Sequence, residues 1–534
     1  MWYNHDQEVV LVLARPEIHL PSGRYLGTRN DKGTMTFMGI PYGRFAGRWK
    51  PLEPVEPGTA LHDASGFGPA CPQIEFGPYP AMKETVEFRE ETCFTLSVST
   101  ASLEGKKPVY VYIHGGANVA GGYFDPKIQT AGFVDTHPDL VAVTFNYRLG
   151  ILGTLCLDGL TQDLDYRFSG NLSTLDQLMA LRWVHDNIAR FGGDPENVTI
   201  GGQSSGCASV KQLFFVRESW PLWKRAICQS GTTLSNSRPI SLQAGRNAAW
   251  KLCEALGAHS LQDLLDMDVQ RLLSVSPFAI GAGAVEDGLT LPVNMNELLC
   301  GKGADVLPRG KEILIGCMNG DMDGFAQDPA SLETTRKNVA QGIGDMLRAM
   351  SQTLAEQYVD LLVPGKAGDA RAAERLRTIT DAQAEELIRL YEQSAPGEDP
   401  WFLLSDCLND FLMYNPLALE SAGLCRQNTV YLYVWDWAPG SAYPLRATHA
   451  MDVPFVFGAR HTIPVPLTQA EQALAEQMYR RAAELWGSFI RGEPGIWEPF
   501  TPERKPTLQI GLELDMAQDP RSISGQCLAE LLKG

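Results

Sequence analysis

The chain has 534 residues, of which 44% are hydrophobic, and its formal net charge at pH 7 is −18. That apolar share supports a large core, and the negative charge disfavours nucleic acid and anionic membrane surfaces as partners because their phosphates would repel it. No stretch approaches the roughly 18 uninterrupted apolar residues of a membrane span, and residues 1–8 lack the basic and apolar regions of a signal peptide.

Strand-like and helical patterns alternate after a first region of short strand-like runs, such as residues 35–42. The predicted strands lie at residues 108–113, 140–145, 197–200, 312–315 and 430–435, and the predicted helices at residues 175–191 and 469–491. This alternation predicts a large α/β fold whose sheet is mostly parallel and has helices on both faces. In such sheets the active site lies at the carboxyl ends of the strands.

One helical block interrupts the alternation. Residues 331–362 and 381–393 carry long helical patterns, and we expect roughly residues 330–425 to form a helical cap beside the sheet. The helix at residues 469–491 is expected to be the C-terminal one and to stop at Gly492. We therefore predict one domain over residues 1–534, with the cap as an insertion.

Residues 202–206 read Gly-Gln-Ser-Ser-Gly and lie between a predicted strand and an apolar stretch that is compatible with a helix. A G-x-S-x-G motif in this setting is typical of a nucleophile elbow, a sharp turn that exposes the serine at the edge of the sheet. A simple glycine–serine turn would also fit these five residues. Ser204 is therefore a predicted nucleophile only if an oxyanion hole, a base and an acid accompany it.

A glycine-rich loop, residues 114–118, directly follows the predicted strand that ends at residue 113. An enzyme that transfers acyl groups must stabilise a tetrahedral oxyanion, and small residues let consecutive backbone N–H groups point at it. The third donor is expected to be the N–H of Ser205, the residue after the nucleophile. A glycine turn without function is the alternative. We expect His114 to pack or to form a hydrogen bond rather than to transfer protons.

The base must come late in the chain, because enzymes with this elbow have the order serine, acid, histidine. Three histidines follow Ser204. His259 lies in a helical region before any strand that could supply an acid, and His461 lies in what we interpret as a surface turn. His449 lies in a loop beyond a late strand, where an imidazole can reach the elbow, and we predict it as the base.

The acid should follow the strand at residues 312–315, where it would fix the tautomer of the imidazole and stabilise the imidazolium. Asp321 and Asp323 both qualify, and either could instead be a solvated aspartate of a turn. No H-E-x-x-H motif or cluster of Cys and His indicates a metal, and no G-x-G-x-x-G or P-loop motif indicates a nucleotide. We therefore expect neither a metal nor a cofactor.

Together with further motifs, these residues resemble the type B carboxylesterase family, the cholinesterase-like branch of the α/β-hydrolases. The matching segments, in the order of the family, are residues 39–42, 68–73, 146–150, 170–206, 222–231, 287–292, 454–458 and 486–489. The resemblance covers nearly the whole chain. It implies the α/β-hydrolase fold and a serine esterase that acts on small-molecule esters without a cofactor.

By position, the resemblance implies six site residues: Ser204 as nucleophile, His449 as base, Asp321 as acid, and the N–H groups of Gly116, Ala117 and Ser205 as the oxyanion hole. The acid of the family is usually a Glu five residues after the glycine that closes the strand, and Asp321 stands five residues after Gly316. Asp323 is the fallback. The Asp is one methylene shorter than the usual Glu.

The chain departs from the pattern of the family in three other respects. Residues 91–98 match it only loosely, and Asn118 stands where an aromatic residue is common, so we expect a more polar pocket there. Cys71 and Cys93 match the positions of a disulfide in secreted relatives. The chain has eleven cysteines, an odd number without C-x-x-C pairs, which favours a cytoplasmic protein with reduced thiols.

The expected activity is hydrolysis of carboxylic esters through an acyl-enzyme intermediate. A thioesterase, a lipase-like enzyme or an amide hydrolase could use the same residues. A binding or adhesion protein without catalysis is the alternative from another class, because a fold alone does not fix a function. The natural ester, the preferred acyl chain and the oligomeric state stay open.

Overall fold

The computed structural model describes residues 15–76, 86–234, 238–302, 305–325, 332–440, 445–463 and 466–533. Its strands are β1 Glu17–Leu20, β2 Gly23–Leu26, β3 Thr28–Arg29, β4 Met35–Pro41, β5 Leu61–Asp63, β6 Thr95–Thr100, β7 Lys107–Ile113, β8 Val141–Phe145, β9 Gly193–Gln203, β10 Arg225–Gln229, β11 Ile240–Ser241, β12 Val285–Glu286, β13 Glu312–Met318, β14 Thr429–Trp435, β15 Pro506–Ile510 and β16 Leu514–Gln518.

Its helices are α1 Thr130–Thr136, α2 Gly150–Thr154, α3 Leu172–Asn187, α4 Ser205–Leu213, α5 Leu242–Leu256, α6 Leu261–Leu265, α7 Val269–Leu273, α8 Pro277–Ile280, α9 Met295–Glu297, α10 Leu332–Arg348, α11 Gln352–Leu362, α12 Ala370–Arg377, α13 Asp381–Ser394, α14 Pro400–Asn409, α15 Asn415–Leu424, α16 Asp452–Phe457, α17 Gln469–Arg491 and α18 Ile523–Leu531. Within these described ranges, no helix combines the length and the apolar character needed to cross a membrane.

A large sheet forms the centre of the fold. In the described residues it has eleven strands in the order β16-β15-β14-β13-β10-β9-β7-β8-β6-β4-β3. The seven strands from β15 to β8 run parallel, and the outer pairs at both ends are antiparallel. The predicted α/β architecture with a mostly parallel sheet is confirmed, and the five strands predicted after residue 100 are β7, β8, β9, β13 and β14.

Both faces of the sheet are buried, as the side chains of β7 show. Because successive residues of a strand point to opposite faces, Val109 and Val111 belong to an apolar cluster that includes residues of α3 and α4. Tyr110 and Tyr112 belong to the cluster on the other face, with residues of α16 and α17. The Tyr112 ring lies 4.8 Å from the ring of Phe457 in α16. This two-sided burial explains the continuous apolar run by which β7 is recognised in the sequence.

One helical pattern divides into two helices, and the expectation that residues 469–491 form the last helix is wrong. Residues 332–362 form two helices, because α10 ends at Arg348 and Ser351 caps the start of α11 by accepting a hydrogen bond from the Leu354 N–H; residue 331 lies outside the described residues. The helix α17 matches the prediction and ends at Gly492 with a φ of +83°, but it is not the last element. β15, β16 and α18 follow it. His259 lies in the short connection between α5 and α6, within the helical region expected for it.

Helices α10 to α15 pack on one another, and α15 also packs on β13 and β14. The boundaries of the cap and of the single domain stay predictions. All eleven cysteines, including the buried Cys71 and Cys93, are free thiols in the structure.

A buried ion pair joins α4, the helix after the predicted elbow, to α15. The side chains of Lys211 and Glu420 are fully buried, and their charged groups are in contact. The ammonium of Lys211 also donates to the Gly231 carbonyl at 2.5 Å. The other carboxylate oxygen of Glu420 accepts hydrogen bonds of 2.9 and 3.0 Å from Thr232 and Thr233. These bonds satisfy both charges and fix the loop after β10.

We expect Lys211→Met to lower the free energy of unfolding by about 3–5 kcal/mol, because it leaves the Glu420 carboxylate buried without its counter-charge. The measurement is urea unfolding followed by circular dichroism. The double variant Lys211→Met/Glu420→Leu is the control, and it should recover most of the loss because no unpaired charge remains. A single variant as stable as the parent would contradict the structural role of this pair.

Candidate active site

The predicted elbow is a tight turn between β9 and α4. Ser204 links the two elements with φ +60° and ψ −126°, a backbone conformation that non-glycine residues seldom adopt. A Cβ at Gly202 would lie 2.5 Å from the backbone of Gly206, and a Cβ at Gly206 would lie 2.2 Å from the Ile113 carbonyl oxygen. Both glycines are therefore required by close packing, and the predicted strand–turn–helix setting of Ser204 is confirmed at the carboxyl end of β9.

The imidazole of His449 lies between Asp321 and the elbow. Its Nδ1 is 2.5 Å from the Asp321 Oδ1, and its Nε2 is 3.0 Å from the side-chain amide nitrogen of Gln203, the residue before Ser204. The buried Asp321 also accepts the Met318 N–H at 2.9 Å through Oδ2. Because a carboxylate accepts the Nδ1 proton, the lone pair of Nε2 faces the turn that carries Ser204.

Two opposing effects act on the pKa of His449. Burial and, to a smaller extent, the charge of Lys127 disfavour the charged imidazolium, but the charge and hydrogen bond of Asp321, together with the charge of Asp452, outweigh them. The pKa of His449 is therefore raised above its usual value.

Asp323 bonds to Arg446 and to α14, and no hydrogen bond or ion pair within the described ranges joins it to His449. Its carboxylate pairs with Arg446 at 2.9 Å and accepts the backbone N–H of the same residue at 3.0 Å. It also accepts hydrogen bonds from Ser405 and Asn409 of α14. Its side chain is fully buried, so the alternative of a solvated turn residue is wrong for Asp323, as it is for Asp321. Of the two aspartates, Asp321 is the one that contacts His449.

The glycine-rich loop after β7 lies directly over the elbow. Gly116, Ala117 and Asn118 all have a positive φ, of +112°, +56° and +58°. The Asn118 N–H donates to the Ser205 hydroxyl at 3.0 Å, and a Cβ at Gly115 would lie 3.1 Å from the Cβ of Ser204. These contacts bring the loop beside the serine that was predicted as nucleophile.

The predicted oxyanion donors are available in this arrangement. Within the described part of the chain, the N–H groups of Gly116 and Ala117 donate to no other group. Ser205 is the first residue of α4, where a helix provides no acceptor for the backbone N–H. In the residues that the structure describes, these three N–H groups have no acceptor, and they lie in the loop beside the elbow and at the start of α4. Such donors can stabilise a negative oxygen that develops there.

His114 packs at the base of this loop. Its ring stacks on that of Tyr147 at 4.4 Å, and its Nδ1 lies 2.9 Å from the Gly115 carbonyl oxygen. Burial lowers the pKa of His114 to about 4, so the ring is neutral. The expectation that His114 packs and forms a hydrogen bond agrees with this geometry.

Two side chains near His449 were missed in the sequence. Gln203 stands inside the G-x-S-x-G motif, at a position that the motif leaves free. Asp452 follows His449 by three residues and looks in the sequence like an ordinary acidic residue at the start of a helix. A search for acidic or amide side chains within a few residues of each predicted catalytic residue would have found both.

Comparison with known proteins gives one family for the chain. The model of the carboxylesterase family matches residues 14–527. Para-nitrobenzyl esterase from Bacillus subtilis (strain 168) is 26% identical over 529 residues, which cover 95% of this chain and 97% of that protein. Neuroligin-2 from Mus musculus is 30% identical over 376 residues, 60% of this chain and 43% of that protein.

Solved structures agree over nearly the full length. The carboxylesterase EST55 of Geobacillus stearothermophilus, solved at pH 6.2, matches with a TM-score of 0.74 and 27% identity over 96% of this chain and 100% of that one. A solved PNB esterase matches with a TM-score of 0.73 and 26% identity over the same shares.

Proposed function

The chain belongs to the carboxylesterase family and is a carboxylic-ester hydrolase of the α/β-hydrolase fold, and we propose that it cleaves esters through an acyl-enzyme intermediate formed on Ser204. The observation that carries the proposal is the imidazole of His449, which contacts Asp321 through Nδ1 and faces the elbow through Nε2. The substrates are then small-molecule esters.

Acylation begins when His449 Nε2 takes the proton of the Ser204 hydroxyl and the serine oxygen attacks the carbonyl carbon of the ester. The carbonyl oxygen becomes an oxyanion, which the N–H groups of Gly116, Ala117 and Ser205 bind. A single donor of this kind is worth about 3–4 kcal/mol of transition-state stabilisation. The C–O bond to the alcohol then breaks, and the imidazolium gives its proton to the leaving oxygen.

Deacylation repeats these steps with water as the nucleophile. His449 takes a proton from water, the resulting hydroxide attacks the acyl carbon, and the serine oxygen leaves with the proton from the imidazolium. Asp321 keeps the proton of the neutral imidazole on Nδ1 and stabilises the imidazolium in both halves of the reaction. The products are an alcohol and a carboxylic acid.

The test of this proposal is a panel of p-nitrophenyl esters with increasing acyl length. We expect release of p-nitrophenolate from esters with short to medium acyl chains, measured by its absorbance. Matched thioesters and p-nitroanilides of the same acids distinguish a thioesterase or an amide hydrolase, which would cleave them faster than the ester. A chain that cleaves none of these compounds would favour the binding protein over the enzyme.

Two further proposals concern the location of the protein and its partners. We propose a cytoplasmic location from the cysteine content, and the negative charge disfavours nucleic acid as a partner. No residue of the triad requires a metal or cofactor for the chemistry described.

A further inference from the structure

Asp452 is a buried carboxylate close to the proposed triad. It is the first residue of α16, three residues after His449, and its side chain is fully buried. Its Oδ2 accepts hydrogen bonds from the Gln229 side-chain amide at 2.8 Å and from the Tyr433 hydroxyl at 3.0 Å. Its Oδ1 has no hydrogen-bond partner in the described part of the chain. A buried carboxylate oxygen without a hydrogen bond destabilises the folded chain, so a functional reason for Asp452 is expected.

The two donors connect Asp452 to the strands that carry the site. Gln229 is the last residue of β10, and its carbonyl oxygen accepts the Ser204 N–H at 2.9 Å. Tyr433 lies on β14 opposite Gly316 of β13, the strand that leads to Asp321. A Cβ at Gly316 would lie 2.2 Å from the Tyr433 ring. One carboxylate therefore holds the elements that position the nucleophile and the acid.

The charge of Asp452 acts on the base. Gln229 from β10 and Tyr433 from β14 bond to it, and its charge also acts on Tyr110 from β7, Cys317 from β13, and His449 and Asp321 from the catalytic loops. Of these six groups, only His449 can carry a positive charge. In the described residues, no lysine or arginine forms an ion pair with Asp452. The imidazolium is thus the cation that this buried charge can stabilise.

We propose that Asp452 is a positioning residue that serves as a second carboxylate for His449: without touching the ring, its buried charge stabilises the imidazolium formed during the reaction, and its bond to Gln229 holds the turn of Ser204. The inference rests on the proposed function. No proton moves to Asp452 in the reaction, since the Ser204 proton passes to His449 Nε2 and from there to the leaving oxygen.

The pH dependence follows from the same geometry. Burial raises the pKa of Asp452 to about 6, although Gln229 and Tyr433 oppose the rise by donating to the charged form. Below about pH 6 Asp452 therefore gains a proton and loses the charge that supports His449. The imidazole itself gains a proton as the pH falls and stops acting as a base. Both changes lower kcat/KM on the acid side of the profile.

The test is Asp452→Asn, which keeps the size of the side chain and removes its charge. We expect kcat for a p-nitrophenyl ester to fall about tenfold and the acid limb of kcat/KM to move down by about one pH unit, because the same electrostatic free energy governs both. Asp452→Glu retains the charge and should keep the limb near its parent position. A limb that stays in place in a folded Asp452→Asn variant would overturn the proposal, because a purely structural role predicts that result.

A second measurement does not depend on turnover. The pKa of His449 is measured by NMR titration of imidazole protons in a Ser204→Ala background, with His449→Gln to identify the signal. We expect Asp452→Asn to lower this pKa by about one unit and Asp452→Glu to leave it nearly unchanged. An unchanged pKa of His449 in the Asn variant would overturn the inference. If the Asn variant does not fold, a fall of about one unit in the Glu variant, which keeps the charge, would overturn it. A lack of esterase activity in the parent would instead contradict the proposed function.

Discussion

Replacing Ser204 by alanine should reduce kcat for p-nitrophenyl esters by about a millionfold, the largest loss that we expect from any single substitution. The variant keeps the oxyanion donors and His449 but has no oxygen to form the acyl-enzyme. Ser205 cannot take over, because its hydroxyl is buried and accepts the Asn118 N–H. The measurement is steady-state hydrolysis of the ester panel by parent and variant.

Ser205→Ala is the matched control for this experiment. It removes the neighbouring hydroxyl but keeps the backbone N–H that we assign to the oxyanion hole, so we expect a much smaller loss of kcat. Substantial activity in Ser204→Ala would show that hydrolysis does not pass through an acyl group on this serine. Loss of equal size in both variants would point to damage of the elbow rather than to the missing nucleophile.

Replacing Asp321 by asparagine should lower kcat about ten-thousandfold while the chain stays folded. The amide removes the charge that stabilises the imidazolium, and its NH2 group can favour the wrong tautomer of His449. Thermal unfolding of the variant, followed with the kinetics, separates this effect from a loss of structure.

Asp323→Asn is the control two residues away. Asp323 does not contact His449, but it pairs with Arg446 and binds two side chains of α14. We therefore expect a lower melting temperature with most of the activity retained in the folded fraction. The assignment of Asp321 would be wrong if Asp323→Asn alone lost activity.

The central strands could be predicted because their burial on both faces leaves a local pattern. β7 is apolar at every position from Val109 to Ile113, and each side chain packs in one of two apolar clusters. β6 was missed because it reads Thr-Leu-Ser-Val-Ser-Thr. Its buried Ser99 bonds to Thr130 of α1 at 2.8 Å, so a polar residue is satisfied where the pattern required an apolar one.

The choice of the acid could not be predicted from the residues alone. Asp321 and Asp323 lie in one loop and have the same side chain, and contacts with distant segments direct them to different partners. Asp321 forms a hydrogen bond with His449, whereas Asp323 forms an ion pair with Arg446. The resemblance to the family favoured Asp321, because the acid of the family stands five residues after the glycine that closes the strand and Asp321 stands five residues after Gly316. The local residues alone do not distinguish Asp321 from Asp323. Asp452 was missed because its role depends on Gln229 and Tyr433, which lie on two other strands.

The bonds of Asp323 have a consequence for folding. They tie the loop that carries Asp321 to the loop that carries His449 and to α14, over separations of 82 to 123 residues. We expect contacts between such distant segments to form late, because each requires the closure of a long loop. A partly folded chain with a finished elbow therefore has a serine but no oriented base. We therefore expect ester hydrolysis to return during refolding only after this docking step.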